Sequence, residues 1–282
     1  MATGQRFTHI TTAYRHITSR HCAEKPLAMA VKRALNLTDP AMQPRYISAY
    51  STFASMDAYD TCRTRAIQLL QLPTYQDMAQ VLRTNPEQAL NIKIRTDKPI
   101  GYVVTKRHGK LRACTTNETR VVVDGPQRPD RQLAAHPVAE GHDLKPIPAR
   151  DLTREVHNLP EYQNIARHNP LHAIALNSSV DNRLPALAYD PKTKTLACPI
   201  ELQPGAYLDT LHFNAHQVYI AHNDGSVTRG AEAIKQNADA MRVLAKIAPL
   251  IEQIRQTVPR ADVVPTTPSP TPQTESPSLS GL

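Results

Sequence analysis

Apolar residues recur along this chain with two different periods, and the changes of period mark out its elements. Between Glu24 and Leu37 they fall at Leu27, Ala30, Val31, Ala34 and Leu35, the three-and-four spacing that lines one face of a helix. Lys32 and Arg33 project from the opposite side. Pro40 and Pro44 close that segment. A second helical stretch is predicted from about Arg45 to Leu72, carrying Tyr46, Tyr50, Phe53, Tyr59, Ile67, Leu69 and Leu70 and stopped by Pro73, which removes a ladder donor and crowds the preceding turn. A third runs from Thr74, a predicted N-cap, to Arg83, and a turn at Pro86 continues it over Glu87 to Ile92.

The period then shortens to two. Ile100 to Lys106 and Lys110 to Thr115 are rich in Val, Tyr and Thr, with Arg107-His108-Gly109 between them, a β-hairpin signal. Arg120 to Val123 reads as a third strand, closed by Asp124-Gly125-Pro126. Residues 125–150 hold five prolines and little periodicity, so they read as a loop or linker. A helix from about Asp151 to Arg167, interrupted near Pro160, opens the second half. Strand-like pieces follow at Ala173 to Leu176, Ala186 to Tyr189 and Thr195 to Ile200. A better hairpin spans Tyr207 to Phe213 and Gln217 to His222, and Asn223-Asp224-Gly225 turns the chain into Ser226 to Thr228.

From Gly230 to Val258 a stripe of Ile234, Ala238, Met241, Leu244, Ile247, Ile251, Ile254 and Val258 predicts one long helix. Pro249 is expected to kink it. Residues 259–282 contain six Pro and eight Ser or Thr, too little apolar area to offset the entropy of ordering, so this stretch reads as a disordered tail. Its removal is expected to leave the melting temperature almost untouched; a large loss in a thermal melt would mean that the tail is docked. The fold class is therefore α+β: N-terminal helices, short and mostly antiparallel strands, a long kinked C-terminal helix and the tail. The organisation reads as a basic helical region plus hairpin over 1–124, a Pro-rich linker over 125–150, an α+β region over 151–258 and the tail over 259–282. The alternative is one domain over 1–258.

Charge changes this picture more than composition does. Residues 1–130 hold 19 of the 33 Lys and Arg but 10 of the 25 Asp and Glu. The positive excess thus lies in the N-terminal half, where it attracts polyanions, nucleic acid foremost. It peaks between Lys93 and Arg112, where Lys93, Arg95, Lys98, Lys106, Arg107, Lys110 and Arg112 face one acid, Asp97. Strand alternation places Tyr102, Val104 and Lys106 on one face, Val103, Thr105 and Arg107 on the other, and Lys110, Arg112 and Cys114 together on the returning strand. A ring beside several cations suits a single strand, since the cations track phosphates while the ring stacks on an unpaired base. The expected contacts are Lys106, Arg107, Lys110 and Arg112 on phosphates, Tyr102 as a stacking face, and Lys93, Arg95 and Lys98 extending the track. A solvated edge hairpin whose lysines discourage edge pairing carries the same pattern.

Enzyme motifs are absent from the sequence. Nine glycines form neither phosphate-cradling loop, and no H-E-x-x-H or G-x-S-x-G occurs. Cys22, Cys62, Cys114 and Cys198 are widely scattered, which is neither a disulfide framework nor a zinc ribbon. Asp57 and Asp60, one helical turn apart, read as a solvated pair, as do His212 and His216 on one strand. The expectation is a non-enzymatic protein of the cytoplasm, of the producing cell or of a host, with no cofactor, no metal site and no membrane span. Its expected partner is RNA or single-stranded DNA, RNA ahead of DNA, with homo-oligomer formation through the C-terminal helix. Two alternatives stand beside it. One is a self-assembling structural, accessory or effector protein, viral or bacterial, acting through protein contacts. The other is a Cys-His hydrolase in which Cys198 uses His212 or His222 with Asp224.

Overall fold

The computed structural model describes residues 23–37, 49–75, 77–78, 89–124, 134–140, 144–200 and 209–257. The expected tail and most of the helix predicted from Thr74 to Arg83 lie outside them. Among the described residues the fold is α+β, with every strand pair antiparallel. Helix α1 (Pro26–Ala34) begins on a proline at its first position, where the missing donor costs nothing. Strand β1 (Ala49–Phe53) follows, then helix α2 (Met56–Leu70). The sequence reading had one helix through both. Instead the β-prone Ala-Tyr-Ser-Thr-Phe segment pairs with β3, and Ser55 restarts the chain as an N-cap, its Oγ accepting from the Ala58 amide at 3.1 Å.

Strands β2 (Ala89–Arg95), β3 (Gly101–Arg107), β4 (Lys110–Thr116) and β5 (Glu118–Asp124) come next. The helical turn expected over Glu87 to Ile92 is corrected by β2, in which Ile92 and Ile94 point inward while Lys93 and Arg95 point out. The hairpin falls where the sequence places it. His108 and Gly109 both have positive φ, 48° and 75°, matching the twist of the strands they join. Within the Pro-rich stretch, β6 (Ala134–Pro137) joins β5 and β7 (Lys145–Pro146) joins β4.

Helices α3 (Ala149–Asn158), α4 (Pro160–His168) and α5 (Pro170–Val180) follow. The strand expected over Ala173 to Leu176 is part of α5. A short apolar run cannot be told from a buried helix by periodicity, and Asn169 decides it here by accepting from the His172 amide at 3.1 Å. Strands β8 (Ala188–Asp190), β9 (Thr195–Ile200), β10 (Asp209–Phe213), β11 (Val218–Ala221) and β12 (Val227–Arg229) form one sheet in reverse order, β12-β11-β10-β9-β8. In place of the single helix expected from Gly230 to Val258, helices α6 (Ala231–Ile234) and α7 (Ala238–Thr257) end the described chain, separated at Asn237, whose Oδ1 accepts from the Ala240 amide at 2.9 Å; Pro249 lies inside α7.

Three cores hold these elements. Tyr59, Cys62 and Ala66 of α2 pack on Ile92, Ile94 and Val121 of the β2-β5-β6 sheet. Ala30 and Val31 of α1 meet Val104, Leu111, Leu152, Val156 and Leu176, so the first core joins residues from both sides of the charge boundary. Each such aliphatic side chain contributes about 1.5–3 kcal/mol when buried. Helix α5 has apolar residues on more than one side and serves two cores, Leu176 and Val180 facing the first and Ala175 the second. In the second core Leu196, Leu211, Phe213 and Ile220 face Ile234, Ala240, Ile247 and Ile251. Part of the C-terminal stripe is thus covered by the chain's own sheet. No helix among the described residues is long and apolar enough to cross a membrane.

Candidate nucleic-acid interface

Register decides which of the eight candidate residues can act together. In the hairpin Tyr102 pairs with Thr115, Val104 with Ala113 and Lys106 with Leu111, while Thr105 pairs with Arg112 and Arg107 with Lys110. Paired residues share a face. Tyr102 and Lys106 therefore lie on the face that carries Val104 and Leu111 into the helix-covered core. Arg107, Lys110 and Arg112 lie on the other. The expected ring beside three cations is divided between two faces.

Lys110 is engaged within the protein. Its ammonium donates to the carbonyls of Ser178, Asp181 and Leu184 at 2.5, 2.9 and 2.6 Å. These groups lie where α5 ends and would otherwise leave carbonyl oxygens unpaired at the negative end of the helix dipole. Burial lowers the pKa of Lys110, and the nearby Asp181 carboxylate pulls the other way. Desolvation beside the apolar face of the hairpin also lowers that of Lys106, although much of its side chain stays exposed.

Lys93 and Arg95 stand on a different sheet. The Lys93 ammonium lies 3.6 Å from Glu118 and 3.3 Å from Glu140, and Arg120 also pairs with Glu140. Glu140 is held below the usual carboxylate range by its hydrogen bond from Lys93 and the charge of Arg120. Arg95 sits opposite Glu118 in register. Acids brought in by β5 and the segment after β6 thus face this part of the track. Lys98 is exposed in the connection from β2 to β3, with its carbonyl accepting from Thr96 at 2.7 Å. Among the described residues, no hydrogen bond or ion pair engages the side chains of Lys98, Lys106, Arg107 or Arg112, all of them exposed.

Of the residues named for a thiol hydrolase, Cys198 lies on the inner face of the five-stranded sheet and His212 on the outer one. Cys198 is buried, its Sγ donates to the Pro199 carbonyl at 3.7 Å, and burial raises its pKa while Lys110 opposes the shift. Burial likewise pushes the Cys62 thiol up to about 11. Asp224 sits in an exposed turn and accepts from the Ser226 amide at 2.8 Å. His222 has other partners. Its Nδ1 lies 2.8 Å from Asp209 and its Nε2 2.7 Å from the Thr228 hydroxyl. An ionised Asp209 can only accept, so Nδ1–H donates to it. This carboxylate–imidazole–hydroxyl chain joins β10 to β12 across the end of β11. Sequence reasoning missed it, because no spacing announces a contact that only strand register creates. Asp57 and Asp60 line an open hollow of about 570 Å³ along α2 with Thr61, Thr64, Arg65 and Gln68, which contains none of the eight candidates.

The outer face of the five-stranded sheet carries the other aromatic feature. The rings of His212 and Tyr219 stack with centroids 4.8 Å apart and planes 4° from parallel. Burial lowers the pKa of His212, with Asp190 raising it in part. Its Nδ1 is buried with no hydrogen-bond partner among the described residues. No protein-family model matches this chain, and no curated protein or solved structure resembles it closely enough to be significant.

Proposed function

We propose that this protein is a non-enzymatic binder of single-stranded nucleic acid, RNA ahead of DNA, and that the open face of the β3–β4 hairpin is its phosphate contact. The observation that carries the reading is the pair Arg107 and Arg112. They share one face, are exposed, and have no acid paired with them among the described residues. Guanidinium groups so placed offer planar, forked donors to phosphate oxygens. Lys98 extends the contact. Lys110 and Lys93, engaged within the protein, drop out of it, and Tyr102 and Lys106 lie on the opposite face.

Three cations on a single strand imply that log affinity falls with log salt at a slope of about two. Charge reversal at Arg107 and Arg112 together is expected to weaken RNA binding by at least about tenfold at low salt and to cut that slope to about a third. Fluorescence anisotropy with a labelled oligonucleotide at several salt concentrations measures both quantities. An unchanged titration would remove the hairpin from the interface.

A further inference from the structure

We propose that the outer face of the five-stranded sheet holds a stacking slot for one unpaired nucleobase, beside His212 and above Ala197 and Ala188. The proposal rests on the nucleic-acid reading but uses a different surface. The inner face of the sheet is closed, since Leu196, Leu211, Phe213 and Ile220 are buried against the helices. Alternation sends the intervening residues outward. In register, one outward row runs across the sheet as Ala188, Ala197, His212, Tyr219 and Arg229.

The rings of His212 and Tyr219 stand side by side at 4.8 Å, about the spacing of neighbouring strands. Their planes are nearly parallel, so each ring presents a π-face along the row. Tyr219 covers one face of the imidazole. The next positions along the row are Ala197, half-buried, and Ala188, exposed, whose side chains are single methyl groups. Among the described residues His212 makes no other ring contact. A flat ring standing over Ala197 would continue the stack at the same interval, and every nucleobase has such a π-face.

Cations around the row suit a polyanion as the carrier of that ring, with Asp190 the acid that acts on His212 from the same sheet. At the β8 end the hairpin tip touches the chain just before Ala188: a Cβ built on Gly109 would lie 2.8 Å from the Ala186 methyl. The cationic hairpin thus abuts the edge where the row begins. Lys192 and Lys194 are exposed in the turn between β8 and β9, and Arg229 is exposed at the far edge. A strand whose phosphates meet the hairpin therefore has the slot close beside it.

The test uses the full chain and a short single-stranded oligonucleotide carrying one 2-aminopurine, whose fluorescence is quenched on stacking. Parent protein is expected to quench it. Ala197→Leu, which fills the slot from an outward position, is expected to abolish the quenching and weaken binding by roughly 5- to 100-fold, with the salt slope unchanged. His212→Ala removes the stacking face and is expected to act in the same direction, with both variants checked by thermal melting. The Arg107→Glu/Arg112→Glu variant is expected to do the reverse: a lower salt slope, with quenching retained at saturation. Full quenching and parental affinity in Ala197→Leu and His212→Ala would overturn the slot. If those two lose quenching while the arginine variant binds normally, the slot stands and the hairpin falls. If the parent binds no oligonucleotide, both fall.

Discussion

Gly101→Ala is expected to lower the melting temperature by roughly 4–8 °C, a large loss for adding one methyl group. A Cβ at this position would lie 2.4 Å from the Thr52 carbonyl oxygen and 2.7 Å from Cγ of Pro137. Neither neighbour can yield cheaply. Thr52 belongs to β1, paired along its length with β3, and its own hydroxyl is tied to the Pro26 carbonyl at 2.9 Å. Pro137 ends β6, whose register is set by β5. Gly101 thus leaves room for a carbonyl of the neighbouring strand and for the Pro137 ring of the second sheet. Alanine also restricts the unfolded chain, worth about 0.4–1 kcal/mol in favour of folding. Overpacking against fixed backbone costs about 3 kcal/mol, so the clash wins. At about 2–3 °C per kcal/mol for a domain of this size, calorimetry resolves the difference. A melt within a degree of the parent would mean that the sheets slide apart at little cost.

Lys110→Met is the second large effect, an expected loss of about 2–3 kcal/mol. Methionine keeps the apolar stem but leaves the carbonyls of Ser178, Asp181 and Leu184 without their donor. Charge-assisted bonds are worth about 1.5–3 kcal/mol each, and the desolvation of the ammonium offsets part of their sum. Arg107→Ala and Arg112→Ala, at exposed sites with no partner among the described residues, are expected to stay within about 0.5 kcal/mol of the parent. Urea denaturation of the three variants separates the structural cation from the candidate binding cations. Equal stability in all three would reject the assignment of Lys110 to the end of α5.

That contrast identifies what was legible in the residues and what was not. Lys106, Arg107, Lys110 and Arg112 look alike as a string. The hairpin itself was readable, because Val, Tyr and Thr alternate on either side of His108-Gly109 and the turn demands positive φ. Alternation within each strand was readable too. The register that relates the face of one strand to that of the other was not, nor was the face that the helices would cover, since that depends on α1 and on α3–α5 arriving from elsewhere in the chain. Likewise β1 and β2 were hidden inside helical periodicity. Five or seven residues satisfy both patterns, and only pairing with β3 and β5 decides between them. The opposite error occurred at α5, where a short apolar run resembled a strand until Asn169 capped it.

The residues alone determined the α+β class, the two hairpins, the amphipathic ends and the uneven charge, because these follow from local periodicity, turn stereochemistry and composition. Tertiary structure decided the rest: that Lys110 serves a helix end, that Lys93 faces two acids, that Tyr102 and Arg112 lie on opposite faces, and that His222 joins Asp209 to Thr228. Each of those outcomes depends on a partner distant in sequence. The free energy of a cation or an imidazole is set by what surrounds it in space, and no order of residues along the chain states that directly.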